Sequence, residues 1–267
     1  LSALAGETTV HADFHLVKKE RDKKSVSIEQ IRELIRVLSM SAFLGGAKVG
    51  VIKHADTMTV EAANALLKTL EEPRPNVTVI LVGQDAQALP QTIVSRCQTL
   101  VFRPVDAGTI YDYLISAKQT PRSAAKHFAR LALGRPALAV KFCEDAAFTE
   151  RYLAQAKALL VFPTADINGR IAAIGELLGK LSGQEAVTLA RRILEVWSGI
   201  ARDLLLLEYG AGDLVQHVVY ERELAVAKRL FTLPTLLRLF SLVALAGRHL
   251  EANVNPLIAL ETVAVAL

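Results

Sequence analysis

Residues 48–96 read KVGVIKHADTMTVEAANALLKTLEEPRPNVTVILVGQDAQALPQTIVSR. The segments Lys48–Lys53 and Val77–Val82 are rich in apolar and β-branched residues, which is typical of buried strands in a parallel sheet. Between them, Ala62–Glu72 has helical spacing, and the prolines that follow end the predicted helix. The stretch therefore predicts a strand, a helix, a second strand and a short helix, followed by Arg96 in a connection.

The residues around this stretch continue the alternation of helix and strand. Ser27 is a predicted helix N-cap with Gln30 as its capping-box partner. The helix that follows has apolar residues at helical spacing: Ile28, Ile31, Leu34, Ile35 and Leu38. A helix after Thr59 is expected to bury one face, formed by Val60, Ala63, Leu66, Leu67 and Leu70. A third short strand is predicted at Thr99–Phe102, which completes an α/β module over residues 1–104.

After Pro104 the sequence predicts helices and no strand. A small helical domain is expected over residues 105–163 and an all-α domain over residues 164–267. The predicted helices lie near 106–117, 121–132, 136–146, 149–160, 168–181, 184–208, 216–230, 233–250 and 256–266. The single tryptophan, Trp197, is expected in the core of the last domain, with a place at an interface as the alternative.

Composition restricts the class of protein. The 267 residues are 52% hydrophobic, carry a formal net charge of +4, and include two cysteines. A disulfide framework is therefore excluded, and a reducing, cytoplasmic location is expected. We find no uninterrupted apolar run long enough to cross a membrane. The sequence opens at Leu1 without Met, so we expect a fragment of a longer chain.

The sequence lacks the motifs that bind and hydrolyse a nucleoside triphosphate. The phosphate-binding loop is missing, and Gly175–Lys180 has the wrong spacing for it. The strand at 48–53 ends in Lys53 and His54, where Mg²⁺ requires carboxylates. Asp56 is expected to be a turn residue, with a metal ligand as the alternative. No nucleotide and no cofactor is therefore expected to bind to these residues.

A metal site is also not expected. The cluster His11, Asp13 and His15 could hold a metal ion, but its spacing equally fits an extended segment. Glu71 and Glu72 are adjacent on a helix and so point in different directions, which favours a solvated helix end over paired catalytic carboxylates.

Ser95-Arg96-Cys97 contains the strongest functional candidate, Arg96. It lies in a connection, where a guanidinium can project from one subunit toward the γ-phosphate of ATP in another. The alternative is a surface or salt-bridged arginine. Ser95 and Cys97 provide the motif context, and Cys97 is expected to pack toward the core rather than act as a nucleophile.

These residues resemble a known family. Ala63–Pro73 (ANALLKTLEEP) followed by Ser95-Arg96-Cys97 resembles the clamp-loader branch of the AAA+ superfamily. The opening His11–His15 (HADFH) and the closing Ala252–Glu261 (ANVNPLIALE) resemble the delta-prime subunits of bacterial DNA polymerase III clamp loaders. The resemblance implies a partial AAA+ P-loop-type parallel sheet, a helical lid domain and a C-terminal collar domain for oligomerisation.

The departures from the family pattern concern ATP hydrolysis. Motor subunits carry Asp-Glu where this chain has Lys53-His54, a polar sensor where it has Gly83-Gln84, and a sensor arginine where it has Ala137, next to Arg135. The resemblance thus implies a non-hydrolysing subunit. Arg96 would be a trans-acting arginine finger for ATP-Mg held by a neighbouring subunit, and the chain itself would bind no cofactor. A family zinc module would lie upstream of Leu1.

The resemblance also implies partners. They are the gamma/tau motor subunits and the delta subunit, with the sliding clamp and primer-template DNA contacted through the assembled complex. The chain would then have no catalysis of its own but would belong to a DNA-directed DNA polymerase holoenzyme, a nucleotidyltransferase complex. Two alternatives stay open: a gamma/tau-like motor subunit that lacks its N-terminus, and a purely structural helical adaptor.

Overall fold

The computed structural model describes residues 12–20, 23, 25–43 and 46–267. The chain divides into two compact units, Leu1–Val101 and Phe102–Leu267. The described part of the first contains parallel strands and helices, and the second is helical, which agrees with the predicted order of an α/β module followed by helices. The finer division of the helical part at residue 163 stays a prediction.

The first unit contains a parallel sheet. Its strands are β1 (Phe14–Val17), β2 (Lys48–Lys53) and β3 (Val77–Val82), in the order β1-β2-β3. Both neighbouring pairs are parallel, with Phe14 beside Val49 and Lys48 beside Val77. Helices α1 (Ile28–Leu38) and α2 (Val60–Glu71) connect consecutive strands. The predicted strand–helix–strand order is therefore confirmed.

Helices α1 and α2 build the core of this unit on one face of the sheet. The capping box is present, because Gln30 N donates to Ser27 Oγ at 3.5 Å and Ser27 N donates to Gln30 Oε1 at 3.1 Å. Ile31, Ile52 and Leu66 are fully buried in this core. A Cβ on Gly50 would lie 3.0 Å from Leu38 Cδ1, so the leucine side chains of α1 would have to shift to accommodate any side chain there.

Two predictions of burial in this unit are wrong. Val60, expected on the buried face of its helix, is 68% exposed because it lies in the first turn, directly after the N-cap Thr59. Strand β3, expected to be a buried strand, exposes Ile80 by 44% and Val82 by 47%. In the described sheet β3 is an edge strand, and the helices cover only the face that carries its alternate residues.

The predicted strand at Thr99–Phe102 is also wrong. The segment has no regular structure, and its apolar side chains are among the most exposed: Leu100 70%, Val101 76% and Phe102 91%. Strand propensity alone does not form a strand, because the backbone groups need a neighbouring strand with which to pair. Among the described residues this segment pairs with none.

The second unit is built entirely of helices and turns over residues 102–267, all of which are described. Its helices are α4 (Ala107–Ser116), α5 (Arg122–Leu131), α6 (Pro136–Glu144), α7 (Ala146–Val161), α8 (Ile167–Leu178), α9 (Gly183–Glu208), α10 (Glu221–Leu230), α11 (Leu233–Glu251) and α12 (Pro256–Ala266). α3 (Gln91–Val94) belongs to the first unit. Among the described residues, no single helix has the length and apolar composition needed to cross a membrane.

One helix of this unit begins later than its pattern predicts. The expected helix near 216–230 starts at Glu221, after a short 3-10 turn. The backbone N–H groups of Gln216 and His217 donate to the buried carboxylate of Asp203, at 3.0 and 2.8 Å. This carboxylate fixes the segment in a non-helical conformation (His217 φ −89, ψ 54), so the helix cannot extend back through it.

The core of the helical unit contains Trp197, as predicted. Its side chain is fully buried and its Nε1–H donates to Gln155 O at 3.0 Å. The ring meets Phe162 edge-on with 5.3 Å between centroids, a favoured arrangement of aromatic pairs. The hydrogen bond and the aromatic contact hold Trp197 in the core rather than at a surface.

Two tight turns shape the helical unit. Gly134 has φ +75, and a Cβ there would lie 2.5 Å from Pro104 Cβ, so only glycine fits between α5 and α6. At the other end, Asn253 has φ +60 and closes α11. Asn255 then caps α12, because its Oδ1 accepts from Leu257 N at 2.9 Å. The segment Ala252–Glu261 thus makes a helix–turn–helix joint.

Candidate functional site

Arg96 follows Ser95, the C-cap of the short helix α3. The segment is held by contacts with the core. Ile93 is fully buried in the core of the α/β unit, and Cys97 packs partly buried against the same core. Successive turn hydrogen bonds link Arg96 N to Ile93 O at 3.1 Å and Cys97 N to Val94 O at 3.2 Å. Because Ile93 and Cys97 both pack toward the core, the side chain of Arg96 lies at the surface.

The guanidinium of Arg96 makes four contacts. Its Nη2 and Nε lie 2.5 and 2.7 Å from Glu71 Oε1. Its Nη1 donates to Thr92 O at 3.0 Å and to Ser95 Oγ at 3.2 Å. Of the five N–H groups of an arginine, one on Nη2 is left without a partner in this arrangement. The predicted motif residues Ser95 and Arg96 are therefore in direct contact.

The sequence did not indicate the ion pair between Glu71 and Arg96. Glu71 and Glu72 were expected at a solvated helix end, and both are exposed there. Glu71 ends α2, where the helix dipole disfavours a negative charge. Arg96 supplies the compensating cation. The two residues are 25 positions apart, so no local pattern in the sequence indicates the pair.

The pair is weak enough to open. The side chains of Arg96 and Glu71 are 35% and 47% exposed, and an ion pair this exposed contributes only about 0–1 kcal/mol. A more highly charged group such as a triphosphate would therefore compete with Glu71 for the guanidinium. In the absence of such a competitor, Arg96 is a salt-bridged surface arginine, which is the alternative that the sequence left open.

The carboxyl ends of β2 and β3 show no site for a magnesium ion. β2 ends at Lys53, and His54 follows in a left-handed conformation with φ +56. Asp56 lies nearby, and a Cβ on Gly83 would lie 3.0 Å from its Oδ1. This oxygen is buried and accepts no hydrogen bond from the described residues. A single carboxylate does not provide the oxygen ligands that Mg²⁺ requires.

The remaining candidates are structural. Burial raises the pKa of the Cys97 thiol, which disfavours the reactive thiolate. Ala137 lies exposed at the start of α6, and Arg135 Nε donates to Ala132 O at 3.1 Å. These two residues belong to the helical unit, whereas Arg96 belongs to the first unit.

The candidate metal cluster near the start of the chain is only partly described. His11 lies outside the described residues. Asp13 Oδ1 accepts from Phe43 N at 2.8 Å, and burial together with Lys48 lowers the pKa of His15. Among the described residues, no group of three or more His, Cys, Asp or Glu side chains is placed to hold a metal ion.

The first part of the chain is similar to a known protein family. Residues 4–106, which carry both the sheet and Arg96, match the family described as "DNA polymerase III, delta subunit". This part of the chain is similar to the DNA polymerase III delta-subunit family. The matched residues end a few positions after Arg96 and Cys97, so the family match covers the α/β unit and leaves most of the helical unit outside it.

Individual proteins similar to this chain are subunits of DNA polymerase III. The chain is 41% identical over 125 residues to DNA polymerase III subunit delta' of Bacillus subtilis, covering 47% of this chain and 36% of that protein. It is 32% identical over 165 residues to the delta' subunit of Escherichia coli, covering 61% and 49%. The tau subunit of E. coli is 29% identical over 170 residues, covering 63% and 25%. The chain spans less than half the length of each of these relatives.

A solved structure resembles the fold of both units. A DNA polymerase III gamma subunit-related protein of Thermotoga maritima matches with a TM-score of 0.51 and 19% identity, covering 84% of this chain and 86% of that one. The likeness concerns the fold alone. With it, the predicted fold class, a partial parallel α/β sheet followed by helical domains, is confirmed.

Proposed function

We propose that this chain acts as the delta-prime subunit of a bacterial DNA polymerase III clamp loader. In this role it does not hydrolyse ATP. It donates Arg96 as an arginine finger to the ATP site of a neighbouring motor subunit while the complex loads sliding clamps for DNA replication. The delta' relatives at 41% and 32% identity support the choice of subunit.

The contacts of Arg96 carry the proposal for the finger. The guanidinium lies at the surface, held by the single anion Glu71 and by neutral acceptors of Thr92 and Ser95. A γ-phosphate from another subunit would offer more negative charge than Glu71 and would take over the guanidinium. The planar fork of arginine matches phosphate oxygens in two-point contacts. Trans-acting arginines of this type accelerate the best-studied GTPases about 10³–10⁵-fold.

The strand ends support the absence of hydrolysis in this chain. Lys53 and His54 stand where a motor subunit needs carboxylates for Mg²⁺ and water, and Asp56 is a single carboxylate turned toward Gly83. The ATP-Mg on which Arg96 acts would therefore be bound by the neighbour. The helical unit would provide the lid and the collar that join the subunits.

The partners follow from the same proposal. The gamma/tau motor subunits and the delta subunit would contact this chain directly, and the sliding clamp and primer-template DNA would be reached through the assembled complex. The net charge of +4 does not require a strong DNA site in this subunit. The two free cysteines, Cys97 and Cys143, suit a reducing, cytoplasmic location.

The decisive experiment replaces Arg96 in the full-length protein within a reconstituted loader. We expect Arg96→Ala to lower the ATPase activity stimulated by clamp and DNA, while gel filtration shows unchanged assembly. Arg32→Ala is the matched control, since Arg32 is an exposed arginine of the same unit. Unchanged stimulated ATPase with Arg96→Ala would contradict the finger and favour a structural adaptor.

The second candidate is a motor subunit, and the match to the E. coli tau subunit favours it. ATP turnover by the isolated full-length protein separates the two functions. We expect no turnover above the background of a mock purification. Turnover at the rate of a motor subunit, abolished by chelation of Mg²⁺, would establish the motor function instead.

A further inference from the structure

A cavity of about 500 Å³ opens within the helical unit. It lies between the start of α6, the start of α7 and the middle of α9, with Phe240 of α11 at one side. Its apolar lining includes Leu138, Phe148, Val196 and Phe240. Cavities of this size and composition accommodate small molecules rather than long peptides.

The charged lining of the cavity is mostly positive. Four basic residues line it, Arg135, Lys141, Arg192 and Arg202, against one acidic residue, Glu195. Lys141 Nζ lies 4.3 Å and Arg192 Cζ 5.3 Å from the centroid of the same Phe148 ring. Both cations are therefore within cation–π distance of one aromatic ring that lines the cavity. Neither cation is within ion-pair distance of a carboxylate among the described residues.

The floor of the cavity contains polar atoms without partners. Gln216 is 3% exposed, and its Nε2 donates to Leu131 O at 3.0 Å and to Tyr152 OH at 3.1 Å. Because a backbone carbonyl only accepts, these bonds fix the amide and leave Oε1 as the acceptor that faces Gly199, another lining residue. Oε1 of Gln216 and Nη1 of Arg202 are both buried without a hydrogen-bond partner among the described residues.

Such atoms call for an explanation. A buried polar atom without a partner is uncommon in native proteins, and an unplaced water or ligand is a frequent reason. Asp203 is the ion-pair partner of Arg202 at 3.8 Å. Its carboxylate already accepts hydrogen bonds from the backbone of Gln216 and His217. Arg202 thus retains donor capacity toward the cavity.

We propose that this cavity binds a small organic phosphate of nucleotide size. Its phosphate would lie beside Lys141 and Arg192, its planar ring would pack against Leu138 and Phe240, and an amino group of the ring would donate to Gln216 Oε1. The ligand class follows from three demands that the cavity makes together: a negative group, an apolar flat body and a hydrogen-bond donor.

Adenosine monophosphate is the probe, with ribose 5-phosphate and inorganic phosphate as comparisons. Binding to the full-length protein is measured by isothermal titration calorimetry. We expect saturable binding of AMP with a Kd below about 1 mM and weaker binding of ribose 5-phosphate and phosphate, which lack the ring. Equal affinity for AMP and inorganic phosphate, or no saturable binding of AMP, would overturn the proposal.

Two double variants locate the site. Lys141→Gln with Arg192→Gln removes the cations at the cavity and should weaken AMP binding roughly tenfold or more. Arg151→Gln with Lys157→Gln removes two exposed cations of α7 that do not line the cavity, and should leave the affinity unchanged. Circular dichroism verifies that both variants are folded. Equal weakening in the two variants would show general charge attraction and contradict the site.

Discussion

Arg96 Nη2 lies 2.5 Å from Glu71 Oε1, and this pair joins the end of α2 to the turn after α3. The same carboxylate oxygen accepts from Arg96 Nε at 2.7 Å. Arg96, which is proposed to act on a neighbouring subunit, is thus already paired with an anion of its own chain. Its availability depends on how readily Glu71 releases it.

Removal of the charge of Glu71 should free the guanidinium. We expect Glu71→Gln to accelerate hydrogen exchange at Arg96 Nε several-fold, because the neutral amide accepts more weakly than a carboxylate. Nitrogen-15 NMR of the arginine side chains measures this in the isolated protein. Glu72→Gln is the control, since Glu72 is adjacent, of the same type and exposed; equal exchange in both variants would show that the ion pair does not form in solution.

The fork of Arg96 should matter as well as its charge. Arg96→Lys retains one positive charge but loses the planar set of donors, so we expect the stimulated ATPase of the reconstituted loader to fall roughly tenfold or more. Steady-state ATPase assays with clamp and primed DNA provide the measurement. Full activity of the lysine variant would mean that a point charge suffices and that two-point contact with the phosphate is not required.

Gly134 should tolerate no side chain. Alanine there would place a Cβ 2.5 Å from Pro104 Cβ at φ +75, and we expect a loss of about 2 kcal/mol or more in the free energy of unfolding. Urea denaturation followed by circular dichroism measures it. Gly247→Ala is the matched control, since a Cβ there meets nothing within 4 Å and alanine in a helix interior gains up to about 1 kcal/mol. A Gly134→Ala variant as stable as the wild type would refute the close approach of Pro104.

The helical unit should lose stability at high pH through Tyr152. Burial raises the pKa of Tyr152 above its ordinary value of 10.0, so the folded state retains the phenol proton more tightly than the unfolded state. The stabilisation is complete below pH 10 and is lost as the pH rises toward the folded pKa, at up to about 1.4 kcal/mol per pH unit. Urea denaturation at several pH values measures the slope.

Two variants isolate this contribution. Tyr152→Phe should be less stable at neutral pH, because the hydroxyl contacts Gln216 Nε2 at 3.1 Å and His217 Nε2 at 3.2 Å, but its stability should fall less steeply above pH 10. Tyr209→Phe, at a residue 74% exposed, should retain the wild-type slope. If the Tyr152→Phe slope equals that of the wild type, other groups account for the alkaline loss.

The helices could be predicted from the sequence because their signals are local. Ser27 with Gln30 forms the expected capping box, and Pro136 and Pro256 occupy first helical positions, where proline is favoured. Caps and periodicity depend only on residues a few positions apart. Helix bounds derived from them therefore agree with the structure to within about three residues in the helical unit, except at the start of α10.

Burial in the sheet and the pairing of charges could not be predicted in the same way. The exposure of Ile80 and the absence of a strand at Thr99–Phe102 depend on which strands are neighbours, and the composition of a single segment does not contain that information. The contact between Glu71 and Arg96, and that between Asp203 and His217, join residues far apart in sequence. The position of Arg96 was predictable, whereas its counter-ion was not.

The burial of Trp197 has a practical consequence for spectroscopy. The chain has one tryptophan and five tyrosines, and all six lie after residue 102, in the helical unit. Tyrosine and tryptophan fluorescence from residues 1–267 will therefore report on that unit. Residues 1–101, which carry Arg96, contain neither residue, and a tryptophan introduced there would allow fluorescence to follow the unfolding of the α/β unit or its docking onto a neighbour.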